Sequence, residues 1–595
     1  MKAIILAAGI GNRMMPLTQK THKTLLEVGG TSIIERIIDS LRKNGIVDVV
    51  IVTGYLKNQL VNHIEKKYDD VNFEYVDNPR FKETNNIFSL SIAFEQIEID
   101  QDILLIESDL IYKEEVITRA IKSKHQNLAL VSPYKIGLDG TVVQVQKDQI
   151  ISIYPPHLQD EKFDLSDKFK TLNIYKFSKN FCSTEFKKLL VYYANAIDEN
   201  CYYELILGIL LYMQKTSINC EIIENSDWAE VDDPNDLSLA EFQFNTESKN
   251  KLLQNSFGGY WNYDIIDFCF IRNMYFPTKA MNAEIKNFAN ILLSNYGSSQ
   301  VILNKKLSYV LQYKQERLIV LNGATQAYPI LKNIFKNKKA LIPTPTFGEY
   351  EKTFENFITY DDKVGFDKQE ILSKIESADI LVFVNPNNPT GSVISTDWLF
   401  DISLQNPDKI IMIDESFIEF SREKSIIELL EKNGLTNVIV IRSMSKNYGL
   451  PGVRLGFIYT SDNFIHEQIS SNIPIWNLNS IAEFYLEIIL KNKISLLESF
   501  ENTKKDRDDF ILKLNTLDLI DKVFASEANF ILFQINKVNF NSNDLLDYLL
   551  NNYNIFIKDI TSKFKNESKF YFRIAVREPN ENDRLVLALQ KFIIK

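Results

Sequence analysis

The sequence of 595 residues has few cysteines and no excess of positive charge. Its four cysteines, at positions 182, 201, 220 and 269, form neither a CxxC pair nor a His–Cys metal pattern. This scarcity favours free thiols in a reducing compartment and argues against a cysteine-based metal site. The 67 basic and 78 acidic residues give a formal charge of −11. That charge argues against nucleic-acid binding, because such binding needs a clustered basic face.

Long hydrophobic runs are also absent from the sequence. The strongest one, at 205–213, has about half the length that a bilayer span needs. The apolar start at 2–8 breaks at Gly9 and Gly11 without a signal-peptide cleavage site. We therefore expect a cytoplasmic protein without membrane insertion. The apolar share of 45% and the charged share of 24% are ordinary for globular proteins, which excludes collagen-like, coiled-coil and disordered classes.

Short apolar runs alternate with helical patterns on both sides of one polar segment. Strand–helix–strand repeats at this spacing predict an α/β protein with mostly parallel sheets covered on both faces. Between the first two strands Ser32 and Glu35 form a capping box, and Gly45 ends an amphipathic helix. The predicted strands are 2–8, 47–53, 73–76, 103–106 and 128–131, then 318–321, 340–342, 380–384, 410–413, 438–441 and 453–459.

The polar segment predicts where the chain divides. Residues 241–251 are polar and lack a sustained period. We therefore predict one domain at 1–240, a linker at 241–256 and a second domain at 257–595. In open α/β sheets ligands bind outside the carboxyl ends of the strands, so the turns that follow the predicted strands are where site residues are expected.

A glycine-rich turn follows the first predicted strand directly. Gly9, Gly11 and Arg13 lie in the string 6–18, and Lys23 follows that string. Backbone N–H groups of such a turn can approach a polyphosphate, while the arginine and the lysine add positive charge. The string resembles the signature of the nucleotidyltransferases that activate sugar phosphates and phosphocholine.

Later segments resemble the phosphocholine cytidylyltransferase branch of that group, over about residues 1–240. They are 84–90, 107–110, 138–143, 173–178 and 228–232. The chain departs from the family at His22, where proline usually precedes the lysine. The resemblance implies a Rossmann-like mixed sheet, CTP as the nucleotide, and catalytic roles for Arg13 and Lys23. The nucleotide-binding residues that it implies are Leu6, Ala7, Ala8, Gly9, Gly11, Asn12, Arg13, Lys23, Asn86 and Ser89.

Nucleotidyl transfer brings one anion against another, so the reaction needs a divalent cation. Mg²⁺ binds through one or two carboxylates plus substrate oxygens. The resemblance implies that Asp109, at the end of the fourth strand, and Asp232 ligate Mg²⁺. An acceptor with a positive amine or choline group needs aromatic or acidic partners. The candidates for the acceptor site are Asn173, Tyr175, Tyr202, Tyr203, Glu204 and Trp228.

Motifs in the second half of the chain indicate a cofactor held on a lysine. They are 385–391, 413–417, 441–446 and 449–456, and they lie at or just beyond the ends of predicted strands. Together they resemble fold-type-I pyridoxal-phosphate (PLP) enzymes, near histidinol-phosphate aminotransferase and threonine-phosphate decarboxylase, from about residue 255 onward. The resemblance implies a large domain at about 295–490 and a small domain from 257–294 and 491–595.

The same resemblance implies roles around the cofactor. Lys446 would bond the cofactor aldehyde and move the substrate Cα proton, and Asp414 would pair with the pyridinium nitrogen. Arg573 would grip the carboxylate of an amino-acid donor. Tyr296 would reach a neighbour's cofactor phosphate, which implies a homodimer. The other cofactor-binding residues implied are Asn388, Ala324, Thr325, Phe347, Ser443 and Arg454.

One position of this motif set departs from most relatives. Phe417 stands three residues after Asp414, where a tyrosine commonly donates to the ring oxygen of the cofactor. Threonine-phosphate decarboxylases also carry phenylalanine there, so the residue leaves both transamination and decarboxylation open.

The two resemblances together predict consecutive reactions on one chain. Transamination of phosphonoacetaldehyde would give 2-aminoethylphosphonate, whose phosphonate oxygen would then attack CTP. The whole chain is similar to fused 2-aminoethylphosphonate cytidylyltransferase–transaminase proteins of phosphonolipid or phosphonoglycan synthesis. Two alternatives stay open. The second domain would decarboxylate a phosphorylated amino acid to supply phosphoethanolamine, or it would be a degenerate scaffold that dimerises the cytidylyltransferase.

Overall fold

The computed structural model describes residues 1–135, 137–564 and 568–593. The chain forms two compact units, Met1–Tyr263 and Asp264–Lys595. The boundary lies beyond the predicted linker at 241–256. Those residues form parts of two helices that belong to the first unit, because Phe242 and Leu253 are buried there and Phe242 packs on Tyr263 with ring centres 4.6 Å apart.

The first unit contains a mixed sheet with helices on both faces. Its strands are β1 Lys2–Ala7, β2 Glu27–Val28, β3 Thr31–Ser32, β4 Asp48–Thr53, β5 Asn72–Asp77, β6 Ile103–Glu107, β7 Leu110–Tyr112, β8 Leu128–Pro133, β9 Val142–Gln146, β10 Gln149–Tyr154, β11 Phe169–Phe177, β12 Asn219–Ile222 and β13 Trp228–Glu230. Its helices are α1 Ile33–Lys43, α2 Lys57–Lys67, α3 Asn86–Gln96, α4 Glu114–Lys122, α5 Lys179–Phe181, α6 Lys187–Ala196, α7 Glu204–Tyr212, α8 Pro234–Phe244 and α9 Lys249–Ser256.

The main sheet of this unit has the strand order β5-β4-β1-β6-β11-β8-β12-β10-β9. β1 pairs in parallel with β4 and β6, whereas β11 runs antiparallel to β6 and β8. The five strands predicted before residue 132 are confirmed as β1, β4, β5, β6 and β8. The capping box of α1 is also confirmed, with the Ser32 and Glu35 side chains bonded to each other's backbone N–H.

The second unit contains a larger and a smaller sheet. Its strands are β14 Ile266–Asp267, β15 Leu318–Leu321, β16 Lys339–Thr344, β17 Asn356–Asp361, β18 Ile380–Val384, β19 Ile410–Asp414, β20 Val438–Ser443, β21 Gly456–Thr460, β22 Lys522–Val523, β23 Phe530–Ile535, β24 Ile555–Phe556, β25 Lys558–Asp559 and β26 Phe570–Ala575. Its helices are α10 Lys279–Leu293, α11 Gln300–Leu311, α12 Ala327–Ile334, α13 Glu349–Thr353, α14 Lys368–Lys374, α15 Thr396–Gln405, α16 Ile427–Asn433, α17 Met444–Asn447, α18 Asn463–Ser471, α19 Ser480–Ile489, α20 Lys493–Leu514, α21 Ser542–Tyr553 and α22 Pro579–Gln590.

The larger sheet has the order β15-β21-β20-β19-β18-β16-β17, and the smaller one has the order β22-β23-β26-β25. Within the larger sheet β21 runs antiparallel to both of its neighbours. The last predicted strand, 453–459, begins only at Gly456, because Arg454 adopts a left-handed conformation with φ 61° that interrupts extended backbone.

The start of the second unit is shared between its two parts. β14 pairs with β24, on the side of the smaller sheet. In contrast, α10 packs on α19, and Phe276 and Met281 join the core of the larger sheet. Residues 276–293 therefore belong with the large part, although 257–294 were predicted to lie in the small one. Across the described ranges, none of the helices is both long enough and apolar enough to cross a membrane.

Candidate active sites

The first unit has a cavity of about 570 Å³ at the carboxyl ends of β1 and β6. The parallel register sets Leu6 beside Glu107, so the turns after both strands open into the same space. The predicted residues that line the cavity are Leu6, Ala7, Ala8, Gly9, Gly11, Arg13, Lys23, Asn86, Ser89, Asp109, Asp232, Asn173, Tyr202 and Glu204. The predicted residues Asn12, Tyr175, Tyr203 and Trp228 lie outside this lining.

The glycine-rich turn holds Lys23 close to it. Gly11 has a left-handed φ of 67°, and a Cβ at this position would lie 3.3 Å from both the Cβ of Lys23 and the Cγ2 of Thr18. The Thr18 hydroxyl donates to the Gly11 carbonyl at 2.8 Å. Glycine is therefore required here both by the backbone conformation and by the close approach of the lysine.

His22 replaces the family's proline as a neutral hydrogen-bonding bridge. One ring nitrogen lies 3.1 Å from the carbonyl oxygen of Ala7, and the other lies 2.8 Å from the hydroxyl of Thr24. Burial lowers the pKa of His22 to about 4, so the ring carries no charge near neutral pH. The imidazole thus ties the end of β1 to the turn that carries Lys23.

Lys23 lies between the two predicted metal ligands. Its Nζ is 2.9 Å from Oδ2 of Asp109 and 2.8 Å from Oδ1 of Asp232. Burial alone would lower the pKa of Lys23, but the two carboxylates raise it above its usual value. Nη2 of Arg13 lies 2.7 Å from Oδ2 of Asp232. The structure therefore brings the two predicted cations and the two predicted carboxylates together.

Carboxylates that sequence reasoning missed lie beside Asp232. Oxygen atoms of Asp139, Glu230 and Asp232 lie within 4.8 Å of one another, a set that could hold a metal ion. Glu230 accepts from Nδ2 of Asn173 at 3.2 Å and lies 3.3 Å from Nζ of the buried Lys170. Burial raises the pKa of Glu230 to about 7. The spacing of two between Glu230 and Asp232 was the available signal, since alternate residues of an extended chain share a face.

Glu107 and Glu204 also line the cavity, and Asn86 connects their elements. Its Nδ2 donates to Oε1 of Glu107 at 3.2 Å, and its Oδ1 accepts from the backbone N of Tyr203, which precedes α7, at 3.1 Å. Glu204, the first residue of α7, is only 2% exposed, and burial raises its pKa to about 7. In the part of the chain that the structure describes, Oε2 of Glu204 has no hydrogen-bond partner.

Tyr175 packs in the interior rather than lining the cavity. Its ring stacks on Phe177 with centres 5.6 Å apart and meets Tyr203 edge-on at 5.9 Å. The pairing of β11 with β8 is irregular between Thr171 and Tyr175, and Asn173 has a φ of 57°. Because this irregularity breaks the strand alternation, Asn173 reaches the cavity while Tyr175, two residues on, enters the core.

Trp228 and Asn12 are also displaced from the predicted site. Trp228 is buried in β13, which pairs with β7, and Lys170 Nζ lies 6.0 Å from its ring centre. Asn12 is exposed at the start of a 3-10 turn. Tyr202 and Phe81 are the aromatic side chains that line the cavity among the described residues.

In the second unit, Lys446 lies in the short helix α17 directly after β20. Its Nζ is 4.4 Å from the ring centre of Phe417 and 5.6 Å from that of Phe347. Burial lowers the pKa of Lys446 to about 8, and the charge of Asp414 opposes this shift while that of Arg573 adds to it. A lysine with this pKa is partly neutral near physiological pH, as a nucleophilic amine must be.

Asp414 ends β19 and is held in a fixed orientation. Its Oδ2 accepts from the hydroxyl of Tyr350 at 2.8 Å, and its Oδ1 accepts from the backbone N of Ser416 at 3.0 Å. The side chain is buried, with 4% exposed. Tyr350 was not predicted, because it lies in α13, far from Asp414 along the sequence.

Asn388 and Arg573 contact each other although they are far apart in the chain. Nη1 of Arg573, on β26, donates to Oδ1 of Asn388 at 2.9 Å, and Nη2 donates to the carbonyl oxygen of Cys269 at 2.6 Å. The guanidinium lies 5.8 Å from the ring centre of Phe530. The smaller sheet therefore presents the predicted carboxylate-binding arginine to the loop after β18.

The predicted phosphate-binding residues form one cradle. Nη2 of Arg454 donates to the Thr325 hydroxyl at 3.0 Å. Gly323 has φ 78°, and a Cβ there would overlap the guanidinium of Arg454. Ala324 and Thr325 open the 3-10 turn before α12, and Ser443 ends β20 beside Gly456. Backbone N–H groups at such a helix start favour a bound phosphate.

A buried aspartate that sequence reasoning missed joins two loops of this site. Nδ2 of Asn387 donates to Oδ2 of Asp362 at 2.5 Å, and the Thr346 hydroxyl donates to Oδ1 of Asn387 at 3.0 Å. Burial raises the pKa of Asp362 to about 6. The network fixes the residues next to Asn388 and Phe347. Asp362 follows β17 without a motif of its own, so the sequence offered no signal for it.

A residue at the start of the second unit anchors the lysine helix. The backbone N of Asn273 donates to the carbonyl oxygen of Lys446 at 2.8 Å, and its Nδ2 donates to that of Asn447 at 2.9 Å. Gly449 follows with a φ of 68°, where any side chain would meet the carbonyl group of Phe276. The position of Lys446 therefore depends on residues about 170 positions earlier in the sequence.

Tyr296 lies on the surface, with 79% of it exposed. Its ring stacks on Trp476 with centres 4.4 Å apart and an interplanar angle of 21°. Trp476 is itself 52% exposed, and Ile475 beside it is 77% exposed. Tyr296 thus forms part of an exposed apolar patch.

Comparison with known proteins agrees with this division into two sites. The family model described as aminotransferase class I and II matches residues 267–589. The chain belongs to this family. A second model, nucleotidyl transferase, matches residues 2–139, so a nucleotidyltransferase domain precedes the aminotransferase domain. The aminotransferase fold supports PLP as the cofactor of the second unit.

Similar proteins include one that matches the whole chain and others that match its aminotransferase half. CMP-5'-(3-aminopropyl)phosphonate synthase of Streptomyces rubellomurinus is 27% identical over 604 residues, which span 100% of this chain and 95% of that protein. L-serine phosphate decarboxylase of Campylobacter jejuni is 28% identical over 348 residues, 54% of this chain and 87% of that protein. The crystal structure of L-threonine-O-3-phosphate decarboxylase from Porphyromonas gingivalis, 24% identical, covers 56% of this chain and 100% of that chain with a TM-score of 0.50, and shows the fold.

Proposed function

We propose that the chain makes an aminoalkyl phosphonate and then activates it with CMP. The second unit would convert phosphonoacetaldehyde to 2-aminoethylphosphonate with an amino-acid donor. The first unit would bring the phosphonate oxygen to the α-phosphorus of CTP and release pyrophosphate. The observation that carries this proposal is the similarity along the whole chain to a CMP-5'-(3-aminopropyl)phosphonate synthase, with both motif sets in place.

In the first unit the side chains suit a triphosphate and a hard cation. Oδ1 of Asp109 is buried and has no hydrogen-bond partner among the described residues, which leaves an oxygen free for Mg²⁺. Asp109 and Asp232 would hold the ion, with Asp139 and Glu230 beside Asp232. Bound Mg²⁺ supplies neutralisation of the phosphate charge and alignment of the leaving pyrophosphate. Lys23 and Arg13 would bind the phosphate oxygens once the nucleotide separates them from their carboxylates.

In the second unit the cradle formed beside Gly323, where a side chain would not fit, suits the phosphate of PLP. Bound PLP supplies an electron sink. Lys446 would hold the cofactor aldehyde and move the substrate proton at Cα. Asp414, fixed by Tyr350, would hold a proton on the ring nitrogen, and Asn388 would bind the ring oxygen. The remaining contacts would come from the cradle and from aromatic and cationic side chains: Ala324, Thr325, Phe347, Ser443, Arg454 and Arg573.

The proposal includes a homodimer formed through the second unit. The exposed patch of Tyr296 and Trp476 supports it, because large exposed apolar patches mark interaction surfaces. Tyr296 would then reach the cofactor phosphate of the partner chain.

A second candidate reaction for the second unit is decarboxylation of a phosphorylated amino acid. It is favoured by the similarity to L-serine phosphate decarboxylases. Its product, phosphoethanolamine, also carries an amine and a phosphate oxygen, so the first unit could activate it in the same way.

One experiment separates these reactions. The full chain is incubated with PLP, Mg²⁺, CTP, phosphonoacetaldehyde and an amino-acid donor, and products are identified by mass spectrometry. We expect CMP-2-aminoethylphosphonate, pyrophosphate and a keto acid. In a parallel incubation with phosphoserine in place of phosphonoacetaldehyde and the donor, release of CO₂ without formation of a keto acid would establish the decarboxylase instead. Formation of neither product would contradict the coupled function.

A further inference from the structure

The lining of the first cavity includes a buried carboxylate oxygen that has no hydrogen-bond partner among the described residues. Glu204 is 2% exposed and lines the cavity. Asn86, Tyr175 and the charge of Lys170 favour its ionised form, yet no group of the described residues donates a hydrogen bond to its Oε2. A buried polar atom left unsatisfied costs free energy of about 1–3 kcal/mol. A protein can retain such a cost in its unliganded state if a bound ligand supplies the missing hydrogen bond. This oxygen therefore indicates a ligand with a hydrogen-bond donor.

The surroundings of Glu204 favour a positively charged donor. Glu107 lines the same cavity, and the Asn86 side chain bonds both to Glu107 and to the backbone directly before Glu204. Asn86 thus links the Glu107 side chain to the start of α7, the helix that carries Glu204. The charge of Glu204 also helps to raise the pKa of the buried Tyr203, so the two side chains interact electrostatically. An ammonium group offers N–H donors and positive charge together.

The described residues that line the cavity form no aromatic cage of the kind that binds a quaternary ammonium. Choline-type cations are recognised by several ring faces around the methyl groups. Tyr175, Tyr203 and Trp228 are packed in the interior, and the aromatic lining in the described part of the chain is limited to Tyr202 and Phe81. A trimethylammonium group would also leave Oε2 of Glu204 unpaired, because it has no N–H to donate.

We infer that Glu204, assisted by Glu107, binds the primary ammonium of the acceptor and makes the first unit selective for aminoalkyl phosphonates or phosphates over choline-type acceptors. This inference rests on the proposed nucleotidyl transfer and adds the acceptor class and the residue that selects it. The N–H groups would donate to the carboxylate oxygens while the phosphonate end faces the nucleotide.

The first test uses the unaltered full chain with CTP and Mg²⁺ and measures pyrophosphate release. The acceptors are 2-aminoethylphosphonate, its N-methyl and N,N,N-trimethyl derivatives, and ethylphosphonate, which has no nitrogen. We expect kcat/KM to fall by at least about 10–100-fold from the primary amine to the trimethyl compound, the effect of losing a hydrogen bond to a charged group. A trimethyl compound within about threefold of the primary amine would overturn the inference.

The second test is Glu204→Gln, which keeps the size of the side chain and removes its charge. We expect KM for 2-aminoethylphosphonate to rise by about 10–100-fold, with little change in KM for CTP or in turnover of ethylphosphonate. Glu224→Gln, at an exposed glutamate of the same unit, is the matched control. An increase in the Mg²⁺ requirement instead would assign Glu204 to the metal and refute the amine site.

The two tests separate failure of the inference from failure of the proposed function. If no acceptor releases pyrophosphate, nucleotidyl transfer itself is wrong for this chain. If acceptors react without regard to nitrogen substitution, transfer stands and the amine site is wrong. The acceptor series requires no variant, so it tests the selectivity for a primary ammonium even if Glu204→Gln fails to fold.

Discussion

Lys23 in the first unit and Lys446 in the second are both buried beside carboxylates, but their pKa values shift in opposite directions. Burial lowers both, yet Asp109 and Asp232, each within 3 Å of Nζ, raise the pKa of Lys23 above its usual value. For Lys446 burial prevails, and its pKa falls to about 8. Two carboxylates in direct contact thus keep the buried Lys23 charged, whereas the charge of Asp414 does not offset the burial of Lys446.

This difference fits the chemistry that each unit is proposed to perform. A triphosphate needs a cation that is charged when the nucleotide arrives, and Asp109 and Asp232 keep Lys23 in that state until phosphate oxygens replace them. An aldehyde cofactor needs an amine that can lose its proton near neutral pH, and the aromatic rings beside Lys446 leave its charge poorly solvated. The following predictions test this contrast, from the largest expected effect to the smallest.

Lys446→Ala should abolish the reaction of the second unit. Loss of the nucleophile should lower its rate by at least about 1000-fold, while CMP transfer to preformed 2-aminoethylphosphonate stays unchanged. Keto-acid formation and pyrophosphate release measure the two activities separately. Lys336→Ala, at an exposed lysine of the same unit, should change neither. Loss of both activities in Lys446→Ala would show that the sites are not independent.

Asp109→Ala should have the converse effect. Removing a proposed Mg²⁺ ligand and one contact of Lys23 should lower pyrophosphate release by about 100–1000-fold, while amine formation continues. The exposed Asp69 provides the control variant Asp69→Ala. If Asp109→Ala retained CMP transfer at unchanged Mg²⁺ concentration, the carboxylate would have no part in metal binding.

The rate of cofactor uptake by the PLP-free protein should depend on pH, with a midpoint near the pKa of Lys446. Only the neutral amine attacks the aldehyde, so the rate should rise with pH and level off above about 8. Two units below the midpoint only about 1% of the amine is neutral, so uptake should be about a hundredfold slower. Stopped-flow absorbance measures the rate. A midpoint near 10 would mean that burial does not control this lysine.

Phe417→Tyr should produce the smallest change. The ring centre of Phe417 lies 4.4 Å from Nζ of Lys446, so the new hydroxyl would supply the donor that most relatives have. A donor stabilises the deprotonated ring oxygen, so the pH midpoint of the bound cofactor's absorbance should fall by about one unit, with less than about tenfold change in rate. Phe417→Leu, which adds no donor, should not lower this midpoint. An unchanged midpoint in Phe417→Tyr would place the ring away from the cofactor oxygen.

The sequence predicted those features that consecutive residues encode. The strands, the capping box at Ser32 and the glycine-rich turn depend on local patterns, and the structure confirms them except for the start of the last predicted strand. Lys446 and Asp414 were identifiable because each lies in a motif at the end of a strand. A feature that a few consecutive residues encode can be predicted without knowledge of the tertiary contacts.

The missed features depend on contacts between distant parts of the chain. Asp139 and Asp232 are separated by more than ninety positions, and Asp362 acts through Asn387 on a different loop. Tyr175 was misplaced because the irregular pairing of β11 reverses the expected alternation. The polar composition at 241–256 predicted a linker, but Phe242 and Leu253 bury enough apolar surface to fold those residues into helices.

The hold of Asn273 on the lysine helix limits how the two halves can be recombined. A fragment that starts at residue 295, the predicted beginning of the large domain, would lose the donor groups that fix the carbonyl oxygens of Lys446 and Asn447. Chimeras that transplant the amine-forming half onto another activating enzyme should therefore be joined immediately after Tyr263. A junction at this point keeps Asn273 in the same fragment as Lys446.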